Sequence, residues 1–343
     1  MGEAHSGRGW RLPAPGLVLA ALAAGIAIRA LLLALPPLFV TDVAYYNVQA
    51  VGYILRGVDP YGASYSVPAA LQTPGAANVF AYLPGVFVFL VPGGADARVG
   101  LVACDVVAAV SLLLFRPGRG GQLGALFLLF PPAVLFSTSF LNDSLPSIAF
   151  VAVALLLESR GRRLFAAGAL GLALASSQEA WFILPVYLAY SFRNRSYAPP
   201  LVTLAVGGAT LAPFAAWGPA AFVSNTLLFQ FQRPVAPLFS AGPFGLSVNP
   251  SLQGMLLGVG AALPLAARGA VAAAFLAYLL WRSKGAISYL AWGSAASVAV
   301  SLFVLAGNFY WSYLELPFVL LLFWVALRPE EAADPSTLKD AAR

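Results

Sequence analysis

The sequence predicts an all-α protein, a polytopic membrane helical bundle of about ten spans, with two long outer loops carrying juxtamembrane helices. Three observations predict it. Hydrophobic residues make up 60% of the 343 positions and charged residues 9%, where an ordinary soluble domain carries about 25% charged residues. Mean hydropathy is +0.84, more apolar surface than one soluble core of this length can hide. The cations also gather at short turns: Arg8 and Arg11; Arg116 and Arg119; Arg160, Arg162 and Arg163; Arg193 and Arg195; Arg282 and Lys284; Arg328. Turns of this kind stay on the cytoplasmic side of a membrane.

Apolar runs that fit between those turns cover 15–38, 98–115, 121–139, 145–158, 164–177, 181–192, 199–217, 264–282, 286–306 and 311–327. The first has no Ala-x-Ala cleavage signal behind it and reads as an anchor. Two further runs break the alternation. Counting Val79–Val91, bracketed by Pro84 and Pro92, would put Arg116 and Arg119 outside; counting Ser251–Leu263 would do the same to Arg282 and Lys284. Both are therefore read as juxtamembrane or re-entrant helices on the outer face. The expected organisation is a single integral membrane domain over 1–343. It has cytoplasmic tails at 1–14 and 328–343, a first outer loop at 39–97 and a second at 218–263.

The net charge of +6 is spread over these turns, so it argues topology and gives no nucleic-acid surface. Cys104 stands alone in an apolar run, which excludes a disulfide framework and a thiolate metal site. His5 is the only histidine, so histidine base catalysis and histidine metal ligation are not expected.

The residues able to carry chemistry fall mostly on the outer side of this topology. Asp42 directly follows the first span, where a carboxylate can do proton chemistry on a membrane-bound substrate; it or Thr41 also suits the cap of a helix over Val43–Arg56. That helix puts Tyr46, Ala50, Tyr53 and Ile54 on one face, with Gly57 suited to end it. Asp59-Pro60-Tyr61 reads as a turn, Asn142-Asp143 as a helix start, and Gln178-Glu179 as a turn toward the same chamber. Arg233, with Arg56 and Arg98, is one of few outer cations; such a group holds a phosphate or anchors at the interface. Asp105 and Arg29 lie inside spans, where a charged side chain has a partner or a function. Glu315 sits in the last span below Asn308-Phe-Tyr310.

Three stretches, Thr41-Asp-Val-Ala-Tyr-Tyr46, Arg56-Gly-Val-Asp-Pro-Tyr61 and Phe80-Ala-Tyr-Leu-Pro-Gly85, resemble the first outer loop of GT-C glycosyltransferases. They are most similar to the polyprenol-phosphate-mannose-dependent mannosyltransferases of the GPI mannosyltransferase I (PIG-M) type and their bacterial and archaeal relatives. The likeness continues through Cys104-Asp105, Phe130-Pro131 to Ser137-Thr-Ser, Asn142-Asp143, Gly171–Pro185 and Asn308–Pro317. The resemblance implies a loop carboxylate acting as base, which falls on Asp42. Beside Asp42, the residues expected to face substrate are Tyr46, Arg56, Asp59, Tyr61, Asp143, Glu179, Arg233, Asn308 and Tyr310, with Arg233 stabilising the phosphate and Asp143 and Glu179 orienting the acceptor. The chain departs from the pattern at Ala44, where a second acidic residue is usual, at Gln178, where a lysine is common, and at Asn308. A divalent cation is compatible with the family, and Ala44 leaves a two-carboxylate metal site undecided.

The residues support a lipid-linked donor independently. No stretch is left for a soluble nucleotide-binding domain, and no Gly-rich phosphate loop follows a strand. The expectation is inverting transfer of a sugar, most naturally mannose, from a polyprenyl-phosphate donor to a lipid, glycan or protein acceptor on the extracytoplasmic face. The competing readings are a lipid or solute transporter or flippase, which predicts internal repeats, and a noncatalytic membrane scaffold subunit.

Overall fold

The computed structural model describes residues 15–35, 42–69, 78–94, 96–115, 119–130, 144–229, 239–242, 245–249, 251–306 and 311–331. Within these the protein is all-α apart from one short antiparallel ribbon, Phe239–Gly242 with Gly245–Val248. Three helices are both long and apolar enough to cross a bilayer: α4 (Arg98–Phe115), α9 (Ala198–Trp217) and α13 (Ile287–Leu305).

The chain opens with α1 (Pro15–Ala34) and the amphipathic α2 (Asp42–Leu55), followed at Gly57 by a left-handed residue of φ 69°. The run 84–93 forms α3 (Phe87–Leu90) between the 3-10 turns Pro84–Val86 and Val91–Gly93, packed on α4. Then come α5 (Arg119–Leu129), α6 (Ser144–Ser159), α7 (Arg163–Leu174), the 3-10 turn Gln178–Ile183 leading into α8 (Leu184–Arg193), and α9. Beyond α9 lie α10 (Pro219–Val223), a π-turn at Ser224–Leu228, α11 (Leu252–Gly258), α12 (Leu265–Trp281), α13 and α14 (Glu315–Glu331). Both segments read as lying outside the alternation, 79–91 and 251–263, form short helices packed on protein.

Local chemistry sets the helix starts. Asp96 Oδ1 accepts the Arg98 N–H at 3.0 Å, Ser177 Oγ the Glu179 N–H at 3.2 Å, and Ser251 Oγ the Gly254 N–H at 3.0 Å. Each satisfies a donor that the first helical turn leaves unpaired. The Arg98 guanidinium continues to Leu32 O and Leu33 O at 3.0 and 3.2 Å, closing the last turn of α1 onto the first turn of α4. Burial works to raise the Asp96 pKa, but hydrogen bonds and charge from Arg98 outweigh it and hold the carboxyl below its usual range.

Within the bundle, α6 lies between α4 and α7, α9 packs on α7, and α14 on α13. Leu31, Phe165, Leu201 and Trp281 remain largely exposed, apolar surface suited to lipid and not to water. Two charges inside the spans are matched: Arg29 Nε meets Asp105 Oδ2 at 2.7 Å, with side chains 0% and 1% exposed. Arg29 also donates to Leu129 O at 2.8 Å and Gly25 O at 3.2 Å, tying α1 to the end of α5. A charge at the centre of a bilayer costs about 2.5–3.5 kcal/mol on insertion scales, so each of these residues explains the other. Of the two roles open to Asp105, the pairing one is realised. At the other end of the bundle Glu158 accepts the Tyr190 hydroxyl at 2.9 Å and lies 3.5 Å from Arg163. There Arg160 also caps α4 through Leu114 O at 2.6 Å.

Candidate functional site at the loop end of the bundle

Asp42 is the first residue of α2, half-buried, with Oδ1 accepting the Val43 N–H at 2.9 Å. A carboxylate there sits in the positive end of the helix dipole. One turn on, about 6 Å along the axis, Tyr46 is buried. Its hydroxyl donates to Asn78 Oδ1 at 3.4 Å and its ring meets Tyr65 edge-on at 5.6 Å. The buried face of α2 is wider than its periodicity suggests: Ala44, Asn47 and Val51 join Tyr46 and Ala50 in the core, while Tyr53 and Ile54 are only partly covered.

The chain after α2 folds back onto it. Tyr53 Oη donates to Ser64 O at 2.6 Å, and Gln49 exchanges two hydrogen bonds with the Ser66 backbone at 2.8 and 3.0 Å. Asp59 forms the expected turn, its Oδ1 accepting the Tyr61 N–H at 2.9 Å. Tyr61 is the keystone of the loop: 1% exposed, its hydroxyl bound to Tyr82 O at 2.8 Å, its ring packed edge-on against Phe80, Phe214 and Phe222. Tyr65 Oη donates to Pro60 O at 2.6 Å. Burial, then the neighbouring tyrosines and Asp59, push both phenols well above their ordinary pKa, so both stay neutral hydrogen-bond donors.

Three contacts fasten this first loop to the rest of the protein. Gly85 N–H donates to Ala175 O at 2.7 Å, and a Cβ on Gly85 would stand 2.7 Å from that same carbonyl oxygen. The glycine of the Phe80–Gly85 stretch is thus required by backbone-on-backbone docking. Asp59 Oδ2 occupies the space a Cβ on Gly218 would need, which seats the Asp59 turn on the junction of α9 and α10. Gln178 donates from Nε2 to Ala81 O at 3.0 Å and to Thr226 O at 3.1 Å, joining the first loop, the 178–183 turn and the π-turn of the second loop. Asn225 Nδ2 adds a bond to Tyr61 O at 2.8 Å. Between the two loops lies an open cavity of about 690 Å³, whose walls include Ser64, Tyr65, Asn78, Ser224 and Asn225.

Of the residues singled out from sequence, Tyr46, Asp59 and Tyr61 belong to this one assembly, and Asp42 lies one turn before Tyr46 on α2. Arg56 lies at its edge, exposed, with its guanidinium 5.2 Å from the centre of the Tyr53 ring. Glu179 adjoins Gln178 but is only 7% exposed, so it faces protein more than cavity. Arg98 is committed to Asp96 and the end of α1. Asp143, Arg233, Asn308 and Tyr310 lie outside the described residues. Ala44 is wholly buried, so no second carboxylate stands beside Asp42 on its helix. Among the described residues no three His, Cys, Asp or Glu side chains come together as a metal centre.

Sequence reasoning missed the bridging role of Gln178, the cavity amides Asn78 and Asn225, and Arg268. Arg268 is 9% exposed in the first turn of α12, where Nη1 donates to Leu305 O at 3.1 Å and Nε makes no hydrogen bond to a described residue. An arginine in an apolar helix end was the available signal.

Comparison with known proteins bears on the fold. No family model matches the chain, and no curated protein matches it. Among solved structures it is similar to ArnT from Cupriavidus metallidurans bound to undecaprenyl phosphate, with TM-score 0.59 and 16% identity over 92% of this chain. The apo form of the same protein matches with TM-score 0.56 and 16% identity over 93% of this chain. The fold is like that of ArnT. The chain spans 60% and 61% of the two ArnT chains.

Proposed function

We propose that the protein is a membrane glycosyltransferase of GT-C type. It transfers a sugar, most naturally mannose, from a polyprenyl-phosphate donor to a lipid, glycan or protein acceptor, with inversion. The observation that carries this reading is the position of Asp42. It heads a helix whose next turn, through Tyr46, touches Asn78 and Tyr65 in the wall of a 690 Å³ cavity. That arrangement occurs in a fold shared with a protein solved with undecaprenyl phosphate.

In the reaction Asp42 takes the proton of the acceptor hydroxyl. The freed oxygen attacks the anomeric carbon, the bond from that carbon to the phosphate oxygen breaks, and polyprenyl phosphate leaves. A positioned general base contributes about 10²–10⁴ in rate. Arg233 stabilises the departing phosphate. Tyr46, Arg56, Asp59, Tyr61, Asp143, Asn308 and Tyr310 complete the substrate-facing set, and Glu179, which faces protein, supports the turn that holds Gln178. The two loops, 39–97 and 218–263, lie on the extracytoplasmic side, and the tails 1–14 and 328–343 and the arginine-rich turns in the cytoplasm.

Incubating membranes with radiolabelled polyprenyl-phosphate mannose tests the reading. Label moves to an acceptor with the wild-type chain and stays on the donor with Asp42→Asn, at unchanged membrane insertion; turnover by that variant refutes the assignment. A second reading, a noncatalytic scaffold subunit, is favoured by Ala44, and a wild-type chain without transfer supports it.

A further inference from the structure

The cavity between the loops has a lining that names its occupant. Among the described residues no Asp, Glu, Lys or Arg lines it, so those residues offer no charge to balance a phosphate or a carboxylate. Tyr61 and Tyr65 stay neutral, as above, so no charge appears there with pH. The polar groups are of mixed sense. Asn78 has Oδ1 engaged by Tyr46 and its amide hydrogens left over; Asn225 has its amide engaged by Tyr61 O and its Oδ1 left over. The Ser64 and Ser224 hydroxyls, exposed in the same wall, both donate and accept. Bare alkyl lining, which a prenyl chain would need, is limited to small side chains such as Ala220, Ala221 and Val79. Donors and acceptors interleaved on a neutral wall, in a volume within the roughly 300–1,000 Å³ of ligand pockets, fit a ring of vicinal hydroxyls.

We propose that this cavity is a subsite for an uncharged saccharide, held by Asn78, Asn225, Ser64 and Ser224. The inference rests on the glycosyltransferase reading and deepens it. The sugar belongs either to a glycan acceptor or to the donor, and Asp42 stands about one helical turn, roughly 6 Å, from the residue that touches this wall.

The test reads binding without turnover. The full chain in nanodiscs is probed by saturation-transfer NMR with α-1,6-mannobiose and with mannose 6-phosphate. Mannobiose binds in the millimolar range and mannose 6-phosphate does not compete for it. Ser224→Trp, a substitution at an exposed position that fills the cavity, weakens mannobiose at least tenfold, and Asn78→Ala weakens it severalfold. Polyprenyl-phosphate mannose displaces mannobiose if the subsite holds the donor sugar and leaves it bound if the subsite holds the acceptor. Absence of mannobiose binding, equal competition by the phosphorylated sugar, or wild-type affinity in both variants overturns the subsite. A wild-type chain that binds mannobiose but transfers no label therefore counts against the transferase reading alone, and one that transfers label without binding mannobiose counts against the subsite alone.

Discussion

Asp105 and Asp42 are both carboxylates at or within apolar helices, and the structure gives them opposite surroundings. Asp105 is sealed among α1, α4 and α5, within 2.7 Å of the Arg29 guanidinium. Asp42 stands half-exposed at the head of α2, beside a loop assembly that encloses open space. The difference teaches where this chain concentrates its charge for structure and where for chemistry. In the helix bodies, Arg29 with Asp105 and Glu158 with Tyr190 and Arg163 satisfy one another. At the loop end, backbone carbonyls, amides and tyrosines do most of the structural bonding, with Asp59 holding its own turn and Asp96 paired to Arg98. Asp42 heads the helix that carries Tyr46 to the wall of this hollow.

The sharpest way to break this comparison is to remove one carboxylate at a time. Asp105→Ala leaves Arg29 charged and buried without its ion-pair partner, at a cost of about 3–5 kcal/mol. Thermal unfolding in detergent should show the loss, and Arg29→Met with Asp105→Leu should recover most of it. Asp42→Asn should cost about 0.3–1 kcal/mol, the worth of a negative charge at a helix N-terminus, while abolishing transfer. A large stability loss in Asp42→Asn, or none in Asp105→Ala, would reverse the roles assigned to the two acids.

The helices were legible in the sequence because bilayer-length apolar runs and arginine turns are one-dimensional signals. The run 98–115 is α4 to the residue, and 264–282 and 286–306 differ from α12 and α13 by one residue at each end. The two segments excluded from the alternation, by charge reasoning alone, are the short packed helices α3 and α11. The site was legible only in its local parts: the start of α2, the Asp59 turn, and the glycine after α2. What joins those parts spans large sequence separations, such as Gln178 to Ala81 and Asn225 to Tyr61, and no periodicity encodes such pairs. Gln178 shows the limit well. In sequence it was the place of an expected lysine; in space its amide makes two backbone bonds that a lysine ammonium could match only as a point donor.

Smaller effects should sharpen the contrast between a rigid loop framework and the carboxylate beside it. Gly85→Ala drives a methyl against the Ala175 carbonyl. We expect a loss of about 2–3 kcal/mol as backbone shifts to relieve it, with reduced transfer because the first loop moves off the 178–183 turn. Gln178→Ala removes two hydrogen bonds, worth about 1–2 kcal/mol together. Its more telling readout is a rise in KM with a modest change in kcat, since both loops lose a shared tether while Asp42 is untouched. An unchanged KM would detach Gln178 from the site.

The smallest effect concerns Asp96, which links the loop end to the bundle through Arg98. Its side chain is 32% exposed while that of Arg98 is 5% exposed, and solvent at the carboxylate screens the pair to about 1 kcal/mol. Its folded pKa lies below the ordinary 3.8. The unfolded chain therefore binds the proton first as pH falls, and the stabilisation is full above the unfolded value and disappears as pH drops through the folded one. The difference in Tm between wild type and Asp96→Asn should be constant from about pH 8 to pH 5 and shrink below about pH 4. A difference that grew on acidification would mean that Asp96 is held by burial more than by Arg98, and that the tie between α1 and α4 is carried by the arginine-to-carbonyl bonds alone.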